Sequence, residues 1–160
     1  MAVVVMRKKT FTITFIVVMY MLVIIIVLIF RPTREERTER HFIRDYELLI
    51  TIAQFLADYP NENIHIWRSE MERGEINFPN VRSLEFEDVV LVEAFKELAN
   101  RGYNMISKCG NTITFQRWAN RHIGWGMAFS IDGSKPERSS VTITTLEPLS
   151  RPNWYFYVSR

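Results

Sequence analysis

An uninterrupted apolar run near the amino terminus constrains this sequence more than any other feature. The 21 residues from Thr10 to Phe30 carry no charge. A helix of that length spans about 31 Å at a rise of about 1.5 Å per residue, which matches the hydrocarbon thickness of a bilayer. The Phe, Ile, Val and Leu residues from Phe15 to Phe30 together favour insertion by roughly 4 to 8 kcal/mol. The run therefore predicts a single transmembrane helix over residues 10–30.

The flanks of this run indicate a retained anchor and not a cleaved signal peptide. A signal peptide has a shorter apolar stretch that is followed by small residues at the cleavage site. Here the run extends to Ile29 and Phe30, and the charged sequence RPTREER follows directly. Residues 1–9 form a basic tail with Arg7, Lys8 and Lys9, a pattern typical of bacterial signal anchors.

Two signals predict opposite orientations for the anchor. The arginines that follow the run outnumber the basic residues before it, which favours a cytoplasmic domain. A short basic tail before a long apolar run is the usual signal-anchor pattern, however, and the first helix usually sets the orientation. We expect a single-pass protein of the cell membrane, with residues 31–160 outside the cytoplasm.

Residues 31–160 predict one small α+β domain that begins with a helix. Pro32 ends the membrane helix, and Thr33 with Glu36 forms a capping box that starts a new one. Its apolar stripe has helical spacing and consists of Phe42, Tyr46, Leu49, Ala53 and Leu56. A second helix is predicted from about Glu85 to Arg101, with the stripe Leu91, Ala94, Phe95 and Leu98.

The sequence after Gly102 changes from helical to alternating periodicity, which is typical of strands. Five such segments are separated by turn sequences: YNMISK, TITFQR, GWGMAFSI, SVTITTL and NWYFYV. NIHIW, at residues 63–67, reads as a further short strand. We therefore predict two main helices packed on an antiparallel β-meander of about five strands.

Charge and cysteine content argue against several functional classes. Of the 20 basic residues three precede the apolar run, and the remaining 17 nearly balance the 18 acidic residues. Because these basic residues are interleaved with acids, no nucleic-acid partner is expected. Cys109 is the only cysteine, and the three histidines have no metal-ligand spacing, so we predict no disulfide, metal site or other cofactor.

One segment, RWANRHIGW, concentrates side chains that suit a ligand. It places planar donors beside aromatic faces, a combination that can bind a phosphate, a carboxylate or a sugar ring. The alternative is that the tryptophans belong to the core and the polar residues cap a loop. The candidate contact residues for a ligand or partner are Arg117, Trp118, Arg121, His122 and Trp125.

A row of arginines on the first predicted helix is a second candidate surface. At 100° per residue these side chains share about one third of the circumference and point away from the apolar stripe. The row can be a solvated face or can contact anionic lipid head groups or an acidic partner. Its members are Arg34, Arg37, Arg40 and Arg44.

These features predict a membrane-anchored, non-catalytic binding or accessory protein of the bacterial cell envelope. No pair of groups suited to nucleophilic or acid–base catalysis can be named, so no catalytic residue is predicted. The expected partners are the bilayer and a protein or anionic envelope component, and a homo-oligomer is compatible with the sequence. One alternative is a small subunit recognised through its transmembrane helix; the other is a membrane-bound enzyme.

Overall fold

A computed structural model of the protein describes residues 15–27, 30–60, 63–74, 89–119, 123–136 and 143–160. The chain divides into two compact units, Met1–Arg34 and Glu35–Arg160. In the first unit, residues 15–27 are helical. The rest of the predicted span 10–30, apart from Phe30, lies outside the described residues. No helix in the described ranges combines the length and apolar character needed to cross a membrane.

Two main helices belong to the larger unit, as the apolar periodicity predicts. Helix α1 (Arg34–Asp58) begins directly after Thr33, and its buried apolar side chains include Phe42, Leu49 and Leu56. A short helix, α2 (Arg68–Arg73), was not predicted; it ends at Gly74, whose φ of 71° is left-handed. Helix α3 (Val89–Asn100) buries the predicted stripe, and residues 85–88 of the predicted helix lie outside the described residues.

Six strands form one antiparallel sheet, in the spatial order β1-β2-β3-β4-β6-β5. The prediction of a continuous meander is wrong at its end, because β6 pairs with β4 and leaves β5 at the edge of the sheet. The predicted NIHIW strand is confirmed, and the structure places it at the opposite edge of the sheet. The strands are β1 (Asn63–Trp67), β2 (Met105–Cys109), β3 (Thr112–Ala119), β4 (Gly124–Ser130), β5 (Ile143–Pro148) and β6 (Trp154–Ser159).

The two faces of the sheet belong to different apolar clusters. The main core joins α1 and α3 to the side chains of one sheet face, which include Ile113, Phe115 and Met127. Trp154 of β6 lies at its centre, with its ring 5.1 Å from Phe42 and 5.7 Å from Phe115. On the opposite face a smaller cluster contains the buried residues Ala128, Ile143 and Tyr157. The larger unit is therefore an α+β domain whose helices cover one face of the sheet.

Candidate functional site

Asp45 is a charged residue in the middle of the buried face of α1. It follows Phe42 by three residues and precedes Leu49 by four, so helical geometry directs all three side chains to the same side. Its side chain has no exposed surface. A buried carboxylate is costly unless it is paired and hydrogen-bonded, and the tertiary structure supplies those partners.

Three arginines and a tyrosine surround this carboxylate. The Arg44 guanidinium binds it in a fork, with Nε 2.7 Å from Oδ1 and Nη2 2.9 Å from Oδ2. Arg101 Nη1 donates to Oδ1 at 2.8 Å. The Tyr103 hydroxyl donates to Oδ2 at 3.0 Å, and Arg117 Nη1 donates to the same oxygen at 3.3 Å. We refer to Asp45, Arg44, Arg101, Tyr103 and Arg117 as the Asp45 cluster.

The end of α3 positions two members of this cluster. The amide of Gly102 donates to the carbonyl of Ala99 at 3.0 Å, and the amide of Tyr103 donates to that of Leu98 at 3.1 Å. Gly102 has a φ of 88°, a left-handed conformation that glycine adopts without strain and that ends a helix. This turn brings the side chains on either side of Gly102 to the same carboxylate.

A β-bulge positions Arg117. In the pairing of β3 with β4, Gln116 lies opposite Gly126 and Trp118 lies opposite Trp125, so Arg117 is the extra residue. Its guanidinium carbon lies 4.9 Å from the ring centre of Tyr103, a cation–π distance. The side chain of Asn104 donates to the Arg117 carbonyl at 3.0 Å, which satisfies a backbone acceptor at the bulge.

The cluster carries more positive than negative charge. Three guanidinium groups face Asp45, and Arg101 also pairs with the acid Glu97 at 2.8 Å. Burial acts to raise the pKa of Asp45, but the hydrogen bonds from Arg44, Arg101 and Tyr103 hold it below its ordinary value. The pKa of Tyr103 is raised by burial and by the charge of Asp45. Asp45 is therefore ionised and Tyr103 neutral near neutral pH.

His41, one turn before Asp45 on α1, is influenced by the same positive charge. Its pKa is lowered from the ordinary histidine value by partial burial and then by the charges of Arg117 and Arg44. Asp45 acts in the opposite direction and is a smaller influence. A histidine destabilised in its cationic form by two neighbouring arginines indicates a positive local potential.

The structure brings together one residue from each predicted surface. Arg117, from the predicted ligand segment, and Arg44, from the arginine row, bind the same carboxylate. Trp118 is 40% exposed and lies opposite the half-buried Trp125 across the bulge. The other two predicted contact residues, Arg121 and His122, lie outside the described residues.

The four arginines of the predicted row have different surroundings. Arg44 belongs to the Asp45 cluster, whereas Arg40 lines a groove of about 460 Å³ between the start of α1 and the end of β5. Arg34 is exposed and Arg37 is half-buried. The groove is lined by four glutamates and three apolar residues in addition to Arg40; these are Glu35, Glu36, Glu39, Glu147, Pro148, Leu149 and Phe156.

Sequence reasoning missed Asp45, Arg101 and Tyr103. A usable signal existed for Asp45, because a lone acid at helical spacing between Phe42 and Leu49 must be buried with the stripe and needs cationic partners. Nothing local identifies Arg101 or Tyr103 as those partners, since they are separated from Asp45 by more than 50 residues.

Comparisons with known proteins add no identity to this geometry. No protein-family model, curated protein or solved structure matches the chain. Within the described ranges, no group of three or more His, Cys, Asp or Glu side chains is arranged to hold a metal ion. The chemistry of the Asp45 cluster itself is therefore the basis for a function: partly exposed guanidinium groups surround a buried carboxylate.

Proposed function

We propose that the chain is a single-pass, membrane-anchored binding or accessory protein of the bacterial cell envelope, with its α+β domain outside the cytoplasm. The helical residues 15–27 carry this proposal. Their side chains are exposed on every side of the helix, with exposed fractions from 40% at Ile24 to 70% at Tyr20. A helix that is apolar all round requires an apolar surrounding, and a bilayer supplies one.

The chemistry of the Asp45 cluster supports binding over catalysis. A catalytic acid or base must exchange a proton near the working pH. Arginine contacts keep Asp45 ionised, and burial keeps Tyr103 protonated, so neither group is suited to that exchange. The partly exposed guanidinium groups are instead suited to hydrogen bonding with an anionic partner. We accordingly assign the domain a binding role.

Labelling of the single thiol tests both the anchor and its orientation. Cys109 is free and half-buried at the end of β2, beside the turn at Gly110. Intact cells that express the full chain are treated with a membrane-impermeant maleimide, and we expect labelling before lysis and recovery of the protein in the membrane fraction. Cys109→Ser is the control for specificity, and a lysed sample establishes that the thiol reacts. Labelling only after lysis would place the domain in the cytoplasm.

Partner capture tests the predicted ligand segment. Because Arg117 contacts the buried Asp45, its removal would disturb the fold, so Trp118→Ala and Arg121→Ala are the better variants. We expect both to weaken recovery of partners with the full chain purified from membranes. Trp67→Ala is the matched control, since Trp67 is also an exposed tryptophan, at 57%, but lies on the edge strand β1. Equal recovery with all variants would remove the segment from the binding surface.

A second candidate, a small subunit recognised through its transmembrane helix, rests on one face of the apolar segment. A shallow groove of about 310 Å³ runs along this face, lined by Phe15, Ile16, Met19, Tyr20 and Val23. Such a groove can accept side chains of a neighbouring helix. Exchange of residues 10–30 for an unrelated apolar run of equal length distinguishes the two proposals. Loss of partners would favour the subunit, whereas retention would favour binding through the domain.

A further inference from the structure

We propose that the outer side of the Asp45 cluster binds a phosphate group through the guanidinium groups of Arg44 and Arg101. This inference rests on the proposed binding function and names the chemical class of its ligand. The phosphate can be free in solution or part of a lipid head group. Two grooves in the described part of the domain are lined mainly by glutamates among their charged residues and do not suit an anion, whereas the cluster presents guanidinium groups.

The first argument is the charge balance. Arg44, Arg101 and Arg117 contribute three positive charges, against the negative charges of Asp45 and the more exposed Glu97. The excess positive charge is poorly solvated on the side that faces Asp45, because the Asp45 side chain is fully buried. Inorganic phosphate and phosphate monoesters carry about −1.5 to −2 charges near pH 7, and the phosphodiester of a phospholipid carries about −1. Binding of a phosphate group would therefore neutralise the excess positive charge of the cluster, which no other contact in the described part of the domain is seen to balance.

The second argument is access. The exposed fraction of the arginine side chains rises outward, from 13% at Arg117 to 30% at Arg101 and 51% at Arg44. A ligand can therefore reach Arg44 and Arg101 while Arg117 stays with the carboxylate. A guanidinium group also has more N–H donors than one carboxylate can accept, so contact with phosphate does not require loss of the Asp45 contacts.

The third argument is the rigidity of the donors. Arg44 is held in a fork on Asp45, and Arg101 is held between Asp45 and Glu97. Both guanidinium groups are thus fixed before a ligand arrives, which reduces the entropy lost on binding. The pKa of His41 is lowered first by burial and then by the charges of Arg117 and Arg44, which is consistent with a positive potential beside these donors. The non-bridging oxygens of a phosphate group can accept hydrogen bonds from two fixed planar guanidinium groups.

The test is a titration of the full chain in uncharged detergent micelles. Inorganic phosphate is added in a calorimeter, and chloride at equal ionic strength gives the background. We expect saturable phosphate binding that Arg44→Gln weakens by about tenfold or more, as loss of a charge-assisted hydrogen bond predicts. Arg101→Gln should act in the same direction. Arg68→Gln is the matched control, because Arg68 is 47% exposed and paired with Glu72.

Two further measurements make each result decisive. Circular dichroism checks the fold of every variant, and Arg44→Lys, which keeps the charge but loses the fork, replaces Arg44→Gln if that variant unfolds. Phosphate that binds no better than chloride would overturn the inference, as would equal weakening by Arg44→Gln and Arg68→Gln. These results do not depend on where the anchor resides, so they are separate from the thiol-labelling result.

Nanodiscs identify the source of the phosphate. The titration is repeated in discs of phosphatidylcholine with and without phosphatidylglycerol. If a lipid head group occupies the site, inorganic phosphate must compete with it, and its apparent affinity falls in discs relative to micelles. Arg44→Gln should then remove that difference. Equal affinity in discs and micelles would assign the site to free phosphate.

Discussion

Asp45→Asn is the substitution that tests the organisation of the domain most directly. Asparagine has nearly the same shape as aspartate and retains one oxygen acceptor, but it removes the charge that holds three guanidinium groups together. Helix α1, the end of α3 and the bulge of β3 all contact this one carboxylate. We expect the free energy of unfolding to fall by about 3 kcal/mol.

The magnitude follows from the burial of the partners. Removal of one member of a fully buried ion pair costs about 3 to 5 kcal/mol, because a buried charge loses its counter-ion. Here the cost lies toward the lower end, since Arg44 is 51% and Arg101 is 30% exposed and both can regain water. Arg117, at 13% exposed, has little access to water and bears most of the penalty. In a domain of this size the loss corresponds to a fall in Tm of about 10 °C.

Acid should remove the difference in stability between wild type and Asp45→Asn. The folded-state pKa of Asp45 is depressed, so its stabilising contribution is fully present above the unfolded-state value of about 4 and is lost as the pH falls through the folded-state value. The neutral asparagine does not titrate. The stability gap between wild type and Asp45→Asn should therefore be constant near neutral pH and should narrow below about pH 4.

Thermal unfolding of the full chain in detergent, followed by near-ultraviolet circular dichroism, measures both effects. Glu72→Gln is the control, because Glu72 is 46% exposed and its ion pair with Arg68 is expected to contribute under about 1 kcal/mol. If Asp45→Asn cost no more than Glu72→Gln, the cluster would not organise the domain. A stability gap that stays constant in acid would contradict the assigned pKa direction.

Three further predictions address the core, the sheet and the proposed ligand. Leu98→Ala should cost about 2 to 5 kcal/mol in chemical unfolding because Leu98 is fully buried, whereas Val90→Ala, at a side chain 72% exposed, should change stability by under about 0.5 kcal/mol. Gly126→Ala should destabilise the domain by more than about 1 kcal/mol in the same assay, because its methyl group would overlap the carbonyl oxygen of Phe115; an unchanged midpoint would contradict the β3–β4 register. Inorganic phosphate should raise the Tm of wild type more than that of Arg101→Gln, since the variant lacks one of the two proposed phosphate donors, and an equal rise would count against the phosphate site.

The two main helices and the strands are predictable because their signals are local. The apolar stripe that contains Leu91 and Leu98 has helical spacing, and the alternating segments after Gly102 correspond to strands. The order of the strands is not local. In the sequence, residues 131–142 separate β4 from β5, whereas only residues 149–153 separate β5 from β6, which pair as a hairpin. The long connection lets β5 lie at the edge, while β6 pairs with β4.

The candidate site is only partly predictable, for a different reason. The sequence identifies Arg117 and Arg44 as members of two separate surfaces, because each lies among residues of similar character. Their shared partner, Asp45, has charged neighbours that make it resemble a surface residue. Its burial follows only when its position is compared with the apolar stripe of α1. The contacts of Arg101 and Tyr103 depend on tertiary packing, which periodicity does not encode.

The bulge in β3 explains why the predicted ligand segment is divided between core and surface. In a regular strand, Arg117 and Trp118 would point to opposite faces. The bulge instead places Trp118 opposite Trp125. Because Trp125 lies two residues before Met127 on β4, both tryptophans lie on the helix-covered face of the sheet. Arg117 also reaches that side, where it contacts Asp45 on α1. Two successive residues thus lie on the same face: Arg117 contacts the buried Asp45, while Trp118 stays 40% exposed.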